Sequence, residues 1–260
     1  MSFFFPTVER EKFSERSVKT FEVDPGGSLS LDTTLGSFHV DAGSTDTVTV
    51  EALFQVEAES LEKAERKFKD LQLNFAQNGN DVAIHSEFRG MKKNLTLEFR
   101  ISVPRNFNLK LKTGGGNIEV VDVYGNVSAN TSGGSIRIKR VNGPVMAQTS
   151  GGSIQVEHVT GEIQAVTKGG NVTARMSDQI SADCYLSTSG GKVAVEVNQA
   201  SGFDVDAKTR AGHVITEFPI TMQGKLSGKS CKTSINGGGP KLVLRSAAGN
   251  IHLAAARPLE

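Results

Sequence analysis

Several short patterns in the chain have residue types that could do chemistry. LSGKS at residues 226–230 carries the glycine, lysine and serine of a phosphate-binding loop. Such a loop cradles phosphate with backbone N–H groups and a lysine, in the spacing GxxxxGK[ST] at the start of a helix. Gly224 precedes Gly228 by one residue too few, and no helical pattern follows Lys229, so no nucleotide site is expected. A series of Gly-Gly turns resembles calcium-binding nonapeptide turns, which need aspartates at fixed positions. The residues after the glycines are Asn117, Ser135, Ser153, Asn171 and Lys192, too few anionic oxygens for a hard cation. The five histidines, His39, His85, His158, His213 and His252, have no partner two, three or four residues on, so no zinc site is expected. His39 and His252 share a position in the repeat described below, on units far apart in sequence.

Glycoside cleavage needs two carboxyls about 5–9.5 Å apart. Asp204 and Asp206 flank Val205, with Glu217 a possible third, and Glu119 with Asp122 forms a looser pair. The chain has no tryptophan and only Tyr124 and Tyr185 as tyrosines, so flat platforms for sugar rings are scarce. Cys184 and Cys231 are too few for a disulfide framework, lie in no CxxC pair, and are read as buried thiols. None of these sets assembles a catalytic constellation. Catalytic, cofactor and metal residues are therefore expected to be none, and the chain is expected not to be an enzyme.

Composition narrows the partners. With 29 basic and 28 acidic residues the net charge is +1, which gives no footprint for nucleic acid or an anionic membrane. No run approaches the ~20 apolar residues of a membrane span. The opening MSFFFPTVEREKFSERS lacks the ~7–15-residue apolar core of an export signal. That implies the cytoplasm if this start is native, and an exported, envelope-bound protein otherwise. The chain has 28 glycines against 7 prolines, as suits many tight turns.

The glycines are spaced regularly. TGGGNI, TSGGSI, TSGGSI and TKGGNV begin at Thr113, Thr131, Thr149 and Thr167, each 18 residues apart. TSGGKV follows from Thr188, TRAGHV from Thr209 and a degenerate SAAGNI from Ser246, and TTLGSF occurs early, from Thr33. Apolar residues sit four and two positions before each Thr or Ser, as in Val145/Ala147, and mostly also five and seven after, as in Ile154/Val156. Period-two alternation on both sides of a glycine turn means two short strands with one buried face. A second turn near Gly125, Gly143 and Gly161 closes the unit. One unit cannot bury its apolar face alone, but units stacked in parallel about 4.8 Å apart build a continuous core. The fold expected is all-β: a parallel β-solenoid of about eight rungs, with the threonines as an inner ladder and Cys184 in the core. Eight residues after the threonines come Lys139, Glu157, Arg175 and Glu196, which would form a ladder of alternating charge.

The remaining segments must cap this stack, because solenoid ends expose unpaired strand edges. Residues 1–17 read as a tail, 18–108 as a β-rich part capping the solenoid, and 109–260 as the solenoid repeats. Residues 58–75 have Leu61, Ala64, Phe68 and Leu71 at helical spacing, with Ser60 as N-cap, and predict one helix. Residues 217–241 break the period and read as a loop or hairpin inserted before the last rung.

The T-S-G-G-S-I rungs, with VDPGGSLSLDTTLGSFHVDAG before them and GGGPKLVLRSAAGNIHL after, resemble the bacterial "putative adhesin" family over residues 18–253. The resemblance implies a β-solenoid of unknown function, often tied to the cell envelope, with no established catalytic residues. The function expected is a non-enzymatic, adhesin-like structural or interaction protein with a protein or glycan partner; the alternative is a polysaccharide-active β-helix enzyme, a lyase or glycoside hydrolase. End-to-end self-association is a further expectation.

Overall fold

The computed structural model describes residues 10–176, 179–219 and 225–256. Each repeat contributes two strands to two different sheets. In the rung of Thr149, Val145–Thr149 lies in one sheet and Ile154–Val159 in the other. The first strands of all rungs pair in parallel in one sheet, and the second strands do the same in the other. Ile118, Ile136, Ile154 and Val172 stand in register on adjacent strands, and none is more than 1% exposed. The inward stack expected from the sequence is present.

The turn between the two strands explains the motif. Thr149 Oγ1 donates to Gly134 O of the preceding rung at 2.8 Å and accepts from Gly152 N of its own turn at 3.3 Å. Thr131, Thr167, Thr188, Thr209 and Ser246 donate in the same way to a glycine carbonyl of the rung below. The second glycine of the motif is required by crowding between rungs more than by its dihedral angles. A Cβ on Gly152 would sit 2.0 Å from Gly134 O, whereas one on Gly151 would meet its nearest atom, Gly133 O, at 3.2 Å. Positive φ is needed at Gly36 and Gly116, where it is +124° and +131°.

Two features of the stack were not expected. Asp81–Phe88 and Leu95–Pro104 pair in parallel with the two strands of the Thr33 rung, with Ser86 opposite Thr33. They form a ninth rung that lacks the Gly-Gly turn. Ser86, at the bottom of the hydroxyl ladder, is buried, with no hydrogen-bond partner for its Oγ. The second feature is order. The last rung in the chain, Lys241–Ser246 with Ile251–Ala256, lies between the Thr188 rung and the Thr209 rung. The chain therefore skips a place after residue 198 and returns to fill it.

The segment 217–241 is the device for that return. Within it, Lys225–Ser227 and Ser230–Ile235 form a hairpin, and Ser230–Ile235 pairs antiparallel with Phe203–Thr209, covering the edge of the last rung. At the opposite end Leu71–Asn78 covers Asp81–Phe88, and Thr47–Ala58 covers Leu95–Pro104, both antiparallel. Glu11–Glu22 adds outside Thr47–Ala58, so a strand begins within the stretch read as a tail.

The helix is shorter than the expected 58–75: it spans Leu61–Lys69, and Leu71 onward is strand. Ser60 caps it, its hydroxyl accepting from Lys63 N at 3.4 Å. Ala64 is fully buried and Phe68 packs edge-on against Phe54 at 5.4 Å, while Leu61 is 55% exposed. Three positions after Phe68, the Asp70–Leu71 step passes into the strand that pairs with Phe88, so sheet pairing wins over the last apolar position of the helical pattern. No helix among the described residues is long and apolar enough to cross a membrane.

Two substitutions separate the causes. Gly152→Ala should destabilise the protein by about 1–3 kcal/mol through overpacking, and Gly151→Ala by clearly less. Thr149→Val should cost about 1–3 kcal/mol by stranding a buried carbonyl and an N–H, and Thr149→Ser should recover most of it. Urea unfolding followed by circular dichroism reads all four; equal losses for the two glycines would refute the crowding account.

Candidate functional site

Side chains that alternate with the core positions stand on the outer faces of the two sheets. Because the rungs are in register, equivalent outer residues form straight rows across strands. On the second-strand sheet one row runs Glu51, Arg100, His39, Glu119, Arg137 and Gln155, each opposite the next on neighbouring strands. Arg16 extends it, its Nε 2.7 Å from Glu51 Oε1. His39 Nε2 lies 2.7 Å from Asp41 and Nδ1 lies 3.3 Å from Glu119. Arg137 Nε donates to Gln155 Oε1 at 3.1 Å.

Glu51, Arg100, His39 and Glu119 of this row floor an open hollow of about 870 Å³. Ser37, Thr49, Glu98 and Ser102 line it as well. A second hollow of about 250 Å³ continues past Asn117 and Glu119 to Arg137 and Gln155. The sequence reading missed this site. Asp41 lies two residues from His39 in the chain, but Glu119, Arg100 and Glu51 come from three other strands, and only the rung register brings them together.

The neighbouring row carries the expected charge ladder. Lys139, Glu157, Arg175 and Glu196 stand opposite one another in sequence. Lys139 Nζ is 3.2 Å from Glu157, and Arg175 Nε is 2.7 Å from Glu196. Burial pushes the Glu157 carboxyl up, but hydrogen bonds from Lys139 and Gln155 outweigh it and hold the group below its ordinary range.

The candidate residues from sequence fall elsewhere. Asp204 and Asp206 share the outer face of Phe203–Thr209, about 7 Å apart by strand geometry. They line a hollow of about 560 Å³ with Lys232, Ser234 and Lys241. Each carboxylate already has a partner: Asp204 accepts from Ser234 Oγ at 2.5 Å, and Asp206 lies 2.9 Å from Arg245. Glu217 is not with them. It follows a strand of the opposite sheet, where it accepts from Ala255 N and lies 3.7 Å from His252. Nor do Glu119 and Asp122 act as a pair. Asp122 forms a two-pronged ion pair with Arg140 at 2.6 and 2.8 Å, and that hydrogen bonding holds its carboxyl below the usual range.

Gly228 and Lys229 occupy the tight turn between Lys225–Ser227 and Ser230–Ile235, followed by a strand, so the phosphate-loop spacing leads into no helix. Gly224 lies outside the described residues. The polar residues after the Gly-Gly pairs are committed to the rung above. Asn117 Oδ1 accepts from Ser135 N, Ser135 Oγ from Ser153 N, Ser153 Oγ from Asn171 N, and Asn171 Oδ1 from Lys192 N. No group of three histidine, cysteine or acidic side chains among the described residues is placed to hold a metal ion.

Both thiols are free and buried. Cys184 lies in the apolar column between Ile163 and Leu242, and burial pushes its pKa up to about 11 from an ordinary 9.0.

These features define a class: a parallel β-solenoid with antiparallel strands added at its ends, bearing an open row of paired polar side chains on one sheet. The chain belongs to the Toastrack family, whose model, Toastrack DUF4097, matches residues 28–254. That agrees with the resemblance carried by its rungs. No curated protein matches the sequence significantly. Among solved structures, the chain is similar to a "putative cell adhesion protein" from Clostridium sporogenes, at 11% identity and a TM-score of 0.38, over 94% of this chain and 100% of that one. It is similar also to a "putative adhesin" from Bacteroides fragilis, at 9% identity and a TM-score of 0.37, over 93% and 97% of the two chains. A further "putative adhesin", from Parabacteroides distasonis, gives 14% identity and a TM-score of 0.30 over the same shares. At such values these likenesses carry no functional argument.

The thiol gives a pH prediction. Because folding raises the Cys184 pKa, its neutral form adds stability that is complete below about pH 9 and is lost as the pH rises toward about 11. Unfolding midpoints measured between pH 8 and 11 should fall more steeply for the native chain than for Cys184→Ala; parallel curves would refute this.

Proposed function

We propose that the protein is a non-enzymatic, adhesin-like interaction module of the bacterial envelope, which binds a glycan or protein partner along the row from Glu51 to Gln155. The observation that carries this reading is the row itself. It sets acidic and basic groups side by side on consecutive strands, and Glu51, Arg100, His39 and Glu119 floor an open hollow of about 870 Å³. A rigid sheet holds these groups at a fixed strand spacing of about 4.8 Å, so hydroxyls, carboxylates or amides of an extended ligand meet donors and acceptors at regular intervals. Arg100 and Arg137 supply forked donors suited to carboxylates, and Glu51 and Glu119 accept from hydroxyls and amines. Each contact is exposed and weak, so affinity comes from repetition along the ligand.

A second reading, a polysaccharide-cleaving enzyme, draws on the joint exposure of Asp204 and Asp206 in one hollow. Their existing partners, Ser234 and Arg245, weigh against it.

A glycan array probed with the labelled protein, run beside a reducing-sugar release assay on the bound glycans, tests both readings. The expected result is saturable binding without release of reducing ends. Arg100→Ala with Arg137→Ala should weaken that binding about tenfold or more, as loss of two charge-assisted contacts would, with the unfolding midpoint little changed. Release of sugar that Asp204→Asn or Asp206→Asn abolishes would overturn the proposal in favour of the enzyme.

A further inference from the structure

Among the described residues, the strand Glu11–Glu22 ends the second-strand sheet and is paired on one side only, with Thr47–Ala58. All of its residues except Phe13 and Phe21 are exposed. Its backbone direction follows from one hydrogen bond. Val23 N donates to Asp46 O at 3.0 Å, continuing the register of Glu22 opposite Thr47. Backbone groups alternate sides along a strand, so odd-numbered residues face Thr47–Ala58. Lys12, Ser14, Arg16, Val18, Thr20 and Glu22 turn their N–H and C=O groups outward, an open ladder of the kind that recruits another strand.

The side chains specify which strand. Two copies of this edge meeting antiparallel must set outward-facing residues opposite outward-facing residues, which permits only every second register. The register that sets Ser17 opposite Ser17 of the second copy also sets Lys12 opposite Glu22, Glu15 opposite Lys19, and Phe13 opposite Phe21. One permitted step to one side sets Arg16 against Arg16, and within the strand one step to the other sets no opposite charges together. Phe13, Glu15, Ser17, Lys19 and Phe21 lie on the face that turns toward the core, because their partners Val56, Phe54, Ala52, Val50 and Val48 are buried. Inward-pointing charges such as Glu15 and Lys19 ordinarily block edge pairing. Here the two-fold match gives each of them its opposite.

We propose that the chain forms a two-fold dimer by antiparallel pairing of Glu11–Glu22 with the same strand of a second copy, in the register centred on Ser17. The two second-strand sheets join into one, and the interface is isologous, so it closes at two copies and does not grow into a filament. This inference is independent of the ligand-binding reading.

Sedimentation equilibrium over a wide concentration range tests it. The native chain should approach twice its 27.7 kDa mass as concentration rises. Val18→Pro removes one outward N–H and leaves the ladder to Thr47–Ala58 intact, so it should give a monomer whose unfolding midpoint equals that of the native chain at dilutions where the dimer dissociates. Glu15→Lys and Lys19→Glu should each raise the dimer dissociation constant by about tenfold or more, since each puts like charges face to face at two symmetric places. The double variant E15K/K19E should restore the native constant. A monomer at every concentration would overturn the proposal. So would a dimer that survives Val18→Pro, or one whose charge reversals are not rescued in the double variant.

Discussion

The structure depends on how closely two backbones can approach at the turn between the two sheets. Rungs stack at strand spacing throughout, and at the second glycine of the motif, from Gly116 to Gly249, the neighbouring chain comes within 1.8–2.3 Å of where a side chain would begin. The threonine hydroxyl beside it then satisfies a carbonyl of one rung and an N–H of the next. One short side chain thus solves two problems: it pairs a carbonyl and an N–H at the turn, and it fixes the register of adjacent rungs to a single residue. A slip by one residue would turn every core side chain outward. The hydroxyl ladder and the Val/Ile column therefore enforce the same alignment independently.

That alignment explains which parts of the fold were legible in the sequence. Thr149 and Gly152 recur because each copy meets the same neighbour, so a local constraint became a visible period. Ser86 shows the limit. Its rung has the strand pattern and the buried hydroxyl position but no Gly-Gly turn, because Leu95–Pro104 follows after a longer connection. The place of Lys241–Ser246 could not be read either. The repeat states what each rung stacks against, a like rung, and the Thr188, Ser246 and Thr209 copies satisfy one another equally well in more than one order. The hairpin at Lys225–Ile235 settles the order, since it covers the outer edge of Phe203–Thr209 and leaves the inner edge for the returning chain. Leu71 is a third case, where an apolar residue fits a helix and a strand alike and the partner Phe88 decides.

The polar row was illegible for a related reason. Core positions repeat, so sequence comparison within the chain finds them. Outer positions differ from rung to rung, and what matters there is the combination. Glu51, Arg100, His39 and Glu119 come from segments that are distant in the chain, and two of these segments carry no recognisable repeat. The carboxylates that stood out in sequence, Asp204 and Asp206, did so because they are close in the chain, which in a strand means only that they share a face.

Separation of inward and outward positions also separates stability from surface chemistry. Substituting Arg137 or Gln155 touches no core contact, so the outer rows can change their chemistry without altering the stack. The ends of the solenoid are under the opposite constraint, because an edge must be either covered or specified. The hairpin covers one end of the first-strand sheet. At the far end of the second-strand sheet, Glu11–Glu22 carries charges on both faces, a pattern that excludes most strands and matches its own reverse. An edge of that kind limits association by sequence rather than by burial, and it leaves the outer faces of the two sheets uncovered.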